Sequence, residues 1–143
     1  MKVKEFKQGR TFMGRLPKGE DLLTSIEAIA KEKEIKVARV ELIGVVENAV
    51  VGFFQHDKKQ YKPIKIDEHM EIVNAVGNIS QKDGEIKAHI HITLGDQDGN
   101  TYSGHLMEGS NIFAGEIVMQ ELVGPELHRK YDESTGISLW DIN

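Results

Sequence analysis

Residues 86–94 alternate without a break: Ile86, Ala88, Ile90, Ile92 and Leu94 take one parity, and Lys87, His89, His91 and Thr93 the other. Successive strand residues point to opposite faces, so this segment is a strand with a buried apolar side and a polar side that carries two histidines. At a rise of about 3.3 Å per residue the two histidines stand roughly 7 Å apart at the backbone, close enough for their side chains to converge. The next segment, Thr101 to Met107, is expected to return antiparallel. Its apolar parity is kept when Tyr102 faces Leu94, Gly104 faces Ile92 and Leu106 faces Ile90. That register sets His105 opposite His91, on the face that already holds His89. A tight two-residue loop at Asp98-Gly99 would slip the pairing by one residue and oppose apolar to polar faces. A longer loop centred on Asp98 is therefore expected, with Gly99 free to take positive φ.

The remaining pattern is mostly strand. Val37 to Gln55 is rich in valine, isoleucine and phenylalanine, with Gly44 and Gly52 as expected bends or bulges. Met70 to Ser80, Ala114 to Val123 and the short Ile137 to Trp140 read as further strands, and Asp83-Gly84 as a hairpin turn. Asp132 to Gly136 reads as a loop. One helix is expected from Gly19 to Ile35. Glu20 and Asp21 are placed in its first turn, Lys31 and Lys33 in its last, and Leu22, Leu23, Ile26, Ile29 and Ala30 on one face. Many strands with one early helix predict an α+β class with a largely antiparallel sheet.

The chain has 143 residues, enough for one domain with a sizeable core, and no linker or repeat divides it, so a single domain over 1–143 is expected. No apolar run approaches the roughly 20 residues of a membrane helix, and Met1 to Phe6 is not signal-like, so the expected location is cytoplasmic. A net charge of −5 does not favour sequence-independent nucleic-acid binding, which basic groups drive.

With no cysteine in the chain, a metal must be held by histidine, carboxylate, carbonyl or water. A lone His-x-His on a strand is commonly an exposed polar face; a third histidine of matching parity turns His89, His91 and His105 into a candidate metal site. Imidazole suits a divalent transition metal, Zn²⁺ first, and three protein ligands leave a position open for water or substrate. Lys87, of the same parity, is expected to point away. Glu71 and Glu108 are the carboxylates considered as support. His56, His69 and His128 read as surface residues. Arg15, near the helix start, is expected in a salt bridge or on an anion, and Trp140 in packing.

The ordered series Gly19-Glu20-Asp21-Leu22-Leu23, Ile43-Gly44-Val45-Val46, Gly77-Asn78-Ile79-Ser80, His89-Ile90-His91, Leu94-Gly95-Asp96, Gly104-His105-Leu106 and Thr135-Gly136 resembles the PPC domain, the "plants and prokaryotes conserved" domain, in its stand-alone prokaryotic form. The resemblance covers nearly the whole chain. It implies an α/β fold with a curved, mainly antiparallel sheet packed against one main helix, a homotrimer, and a metal site that maps onto His89, His91 and His105. Plant members are fused to AT-hooks and regulate through DNA, and prokaryotic ones carry a DNA-binding label by that association. This chain has no AT-hook: Gly14-Arg15-Leu16-Pro17 is the nearest run and lacks the Arg-Gly-Arg-Pro core. The plant Gly-Arg-Phe-Glu-Ile-Leu segment, linked to protein partners, corresponds to Glu68-His69-Met70-Glu71-Ile72-Val73, without its arginine. Three functions stay open: a metal-binding protein, a DNA-binding regulator, and a metal-dependent enzyme of unknown substrate.

Overall fold

A computed structural model describes residues 2–142. Nine strands form one sheet: β1 (Lys7–Leu16), β2 (Ala38–Gln55), β3 (Gln60–Ile66), β4 (Met70–Lys82), β5 (Glu85–Gly95), β6 (Thr101–Leu106), β7 (Asn111–Val123), β8 (His128–Asp132) and β9 (Ile137–Trp140); one helix, α1 (Leu22–Glu32), precedes β2. The sheet is mixed. Its pairs are antiparallel except β4–β8, which is parallel.

The long strand β2 organises the rest. Its first half pairs with β7 on one edge and β4 on the other. Its second half pairs with β3 and, through Val51 and Gly52, with β6. Because β4, β5 and β6 are joined in series, β2, β4, β5 and β6 close a ring. Gly44 makes the turn in β2 possible: its φ is 145°, the β2–β4 register shifts between Leu42 and Gly44, and a Cβ there would meet the Ala114 carbonyl oxygen at 2.1 Å. All strands of the ring feed one buried cluster, among them Val40, Leu42, Ala75, Ile79, Ile90, Ile92, Leu94 and Leu106.

This corrects the expected α+β (α/β) architecture. The fold is mostly strand, and the sheet is not packed against one main helix. The single helix has 11 residues. At 1.5 Å per residue it is about 16 Å long, too short to cover nine strands. It contributes Leu22, Ile26 and Ala30 to the core and packs chiefly on β5, while the ring strands bury their apolar sides against one another.

The helix is shorter than the expected Gly19–Ile35 at both ends for local reasons. Asp21 is its N-cap, accepting from the Thr24 N–H at 2.9 Å, so Glu20 and Asp21 lie before the first turn rather than in it. The other Asp21 oxygen accepts from the Gly109 and Ser110 N–H groups at 2.7 and 3.1 Å, tying the helix start to the β6–β7 connection. At the far end Lys33 is the C-cap and Glu34 takes φ of 55°, after which the Ile35 N–H returns to the Ala30 carbonyl.

Three strands went without assigned bounds in the sequence. β1 is largely exposed and β3 contains Pro63, while β8 begins at His128 and runs into the segment read as a loop. None has a clean apolar alternation, the signal on which a strand is read.

Candidate metal centre

The β5–β6 hairpin has the register that parity demands: His91 faces His105, Ile92 faces Gly104 and Leu94 faces Tyr102. Residues 96–100 form the loop, with Gly99 at φ 82° and the Asp96 carboxylate accepting from the N–H groups of Asp98 and Asn100. Ile90, Ile92, Leu94 and Leu106 are buried as the apolar parity requires, but Tyr102 is exposed, since it lies near the hairpin tip beyond the core.

The three imidazoles meet. Ring centroids are 5.1 Å apart for His89 and His91, 4.9 Å for His89 and His105, and 5.9 Å for His91 and His105. One ligand atom from each lies within 4.8 Å of the others. Tetrahedral ligands about 2.0–2.1 Å from one ion stand roughly 3.4 Å apart, so the rings would close in to hold it. His91 is exposed, and His89 and His105 are half-buried. His89 Nε2 and His105 Nδ1 are buried without a hydrogen-bond partner. Buried polar atoms are normally satisfied, so two orphaned ring nitrogens in one three-histidine cluster fit a bound cation. Burial, with Arg129 next for His89 and His91 next for His105, holds both imidazoles down at about 4. They are therefore neutral at pH 7 and offer lone pairs, as metal ligation requires.

The surroundings hold the rings in place. Tyr61 on β3 stacks on His105 at 4.6 Å with an interplanar angle of 26°. Asn78, the register partner of His89, accepts from Arg129 Nη2 at 2.8 Å, and Arg129 Nε donates to Ser80 Oγ at 2.9 Å. On the other edge of β5 the β6 pairing stops at His91, and the Ala88 N–H is met instead by the Glu27 carboxylate at 3.1 Å. Glu27 also pairs with Lys87 at 3.2 Å, which draws that ammonium to the helix. A cavity of about 480 Å³ opens beside His89 and His105, with Tyr61, Arg129 and Lys82 in its wall.

The carboxylates considered from the sequence are not here. Glu71 faces Gly95, at the opposite end of β5 from His89, and Glu108 is exposed in the connection after β6. The carboxylate that braces the strand, Glu27, lies on the helix; an acid beside Ile26, at the border of the apolar stripe, was the one sequence sign of it. Arg129 and Tyr61 carried no signal, because β8 and β3 were not recognised as strands. His56 lies edge-on to Phe54, His69 beside Phe113, and His128 pairs with Glu126 at 3.0 Å, all outside the cluster. Arg15 stands opposite Glu116 in the β1–β7 pair, and Trp140 lies under the Arg129 guanidinium at 5.4 Å. No helix among the described residues is long and apolar enough to cross a membrane.

Known proteins share this fold. A metal-containing protein from Archaeoglobus fulgidus is 41% identical, with TM-score 0.94 over 98% of this chain and 99% of that one. A plant- and prokaryote-conserved (PPC) protein from Pyrococcus horikoshii is 39% identical, with TM-score 0.93 over 99% and 97%. A candidate DNA-binding protein from Bacteroides thetaiotaomicron is 26% identical, with TM-score 0.85 over 96% and 97%. Among curated proteins the chain matches the bifunctional protein GlmU of a Synechococcus strain, 27% identical over 129 residues, and spans only 20% of that protein's length. Residues 3–123 match the Plants and Prokaryotes Conserved (PCC) domain, and the chain belongs to that family.

Proposed function

We propose that this family member binds one divalent transition metal through His89, His91 and His105, with a coordination position left open toward the cavity. The observation that carries this reading is the convergence of three ligand atoms within 4.8 Å. The two unpartnered ring nitrogens support it. Zn²⁺ fits the donor set best: neutral imidazole, no thiolate, and three protein ligands as in open zinc sites. Elemental analysis of protein purified without a histidine tag or chelator tests it. About one zinc per chain is the expected result; no metal bound, and none taken up from added Zn²⁺, Mn²⁺ or Fe²⁺, would sink the reading.

A second reading, self-association into the trimer implied by the family resemblance, is favoured by one feature. Met13, Ile43 and Val76 leave large apolar surface exposed, at 80%, 55% and 41%, around one shared groove on the sheet. DNA binding draws support from the names of relatives such as the Bacteroides protein, and the chain's net charge of −5 gives it no help. Mass in solution, and a DNA titration at two salt concentrations, separate these readings.

A further inference from the structure

The chain is acidic overall, yet the wall of the cavity beside His89 and His105 is not. It carries Lys59, Lys82, Lys87 and Arg129, and no carboxylate among the described residues lines it. Lys87 is neutralised by Glu27. The Lys59 ammonium donates to the Glu133 carbonyl and lies within the field of the Asp132 carboxylate, outside the cavity wall. Lys82 and Arg129 are register partners in the parallel β4–β8 pair, and both line this cavity. Glu85, opposite Lys82 in the β4–β5 hairpin, is taken by Lys31 at 3.2 Å. A wall with an excess of one charge favours an occupant of the opposite sign.

Arg129 is held for such a role. Its acceptors are neutral: Ser80 Oγ at 2.9 Å, Asn78 Oδ1 at 2.8 Å and the Ser138 carbonyl at 3.2 Å. The Trp140 ring lies against the guanidinium. Three of its five N–H groups are thus spent on orientation, and the positive charge meets no acid. Burial lowers the Arg129 pKa, as expected of a cation without a compensating anion. A fixed, half-buried guanidinium is a receptor for a carboxylate or phosphate oxygen. Phe54, Tyr61, Tyr131, Ile137 and Leu139 give the wall its apolar and aromatic part, beside the uncharged Gln60 and Ser138. A cavity of about 480 Å³ suits a small organic molecule.

We propose that this cavity binds a small organic anion, its charged group on Arg129 and Lys82 and its apolar body against Tyr61 and Leu139. In that position the ligand lies beside His89 and His105, next to the open position of the metal. Its role as the ligand of a metal-bearing centre rests on the metal reading above; the charge argument stands on the cavity wall alone.

Benzoate and its neutral analogue benzamide, titrated calorimetrically at low ionic strength into metal-free and Zn²⁺-loaded protein, test the proposal. Benzoate should bind at one site per chain, at least about tenfold more tightly than benzamide. Arg129→Gln should weaken benzoate by about tenfold or more, and Lys82→Gln by severalfold, with zinc stoichiometry unchanged in Lys82→Gln. Lys82 is exposed, so its variant keeps the test alive if Arg129→Gln does not fold. Benzoate binding no tighter than benzamide, or equally tight in Lys82→Gln and wild type, would overturn the anion site. Failure to take up zinc with benzoate still bound would instead remove the metal and leave the anion site supported.

Discussion

His91 on β5 lies directly across the ladder from His105 on β6, and the two ring centroids are 5.9 Å apart. One backbone pairing thus fixes two members of the three-histidine cluster, and His89 joins them because it is two residues along the same strand face. His91 is the exposed member, so it contributes little to packing. His91→Ala should therefore abolish zinc binding and leave the melting temperature of the metal-free protein nearly unchanged. In the wild type, saturating zinc should raise that temperature, since a ligand at a thousand times its Kd stabilises by about 4 kcal/mol. Zinc retained at full stoichiometry in the variant would contradict the site.

Much of this centre was legible in the sequence because strand parity is a strict code. The alternation in 86–94, carried across the loop to 101–107, specified which histidines share a face, and the loop length followed from the same constraint. Arg129 and Tyr61 were not legible. They come to the site on β8 and β3, short strands whose partners are set by tertiary closure of the sheet rather than by local pattern. The architecture was misread for a related reason. A helix with an apolar stripe announces itself, whereas a sheet that closes on itself through β2 leaves no mark in any single segment.

Glu27 is 7% exposed, and its carboxylate is the partner of the Ala88 N–H on the edge of β5 that β6 does not cover. Glu27→Ala leaves that donor and the Lys87 ammonium without their acceptor. It should cost about 2–3 kcal/mol in denaturant unfolding. Glu27→Gln keeps an acceptor for Ala88 and should recover a large part of the loss. Equal stability of the two variants would show that the carboxylate does not brace the strand.

Gly77 on β4 lies against the backbone that carries His89. A Cβ there would stand 2.0 Å from the His89 carbonyl oxygen and 2.8 Å from the Ile90 Cα, both backbone atoms that cannot swing aside. Gly77→Ala must push β4 and β5 apart, with an expected destabilisation of about 3 kcal/mol or more and weakened zinc binding. A variant as stable as the wild type would mean that the two strands separate at little cost.

The metal-free protein should lose stability on mild acidification. His89 and His105 sit at about 4 in the folded chain, against an ordinary 6.5. Between those values the unfolded chain binds protons that the folded chain refuses, so stability rises with pH across that window. The contribution is complete above 6.5, falls as the pH drops toward 4, and changes no further below it. Thermal melts of the chelated protein from pH 7 to pH 4 should show this decline, and His105→Gln should flatten it. A flat wild-type profile would show that burial does not oppose protonation of the cluster.

The apolar groove on the sheet gives the last prediction. Ile43 on β2 is 55% exposed and Met13 on β1 is 80% exposed, and both line a cavity of about 760 Å³ that also takes in Val76. Isolated apolar side chains on a surface are ordinary, but three around one groove form a patch whose burial against another copy is favourable at about 25 cal/mol per Å². A charge placed there must be desolvated on assembly. Ile43→Glu should shift the mass of the particle in light scattering toward the single chain, with an unchanged circular dichroism spectrum and zinc content. If the wild type itself runs as a monomer, the patch is not a self-association surface; if wild type and variant share one multimeric mass, the contact lies on another face.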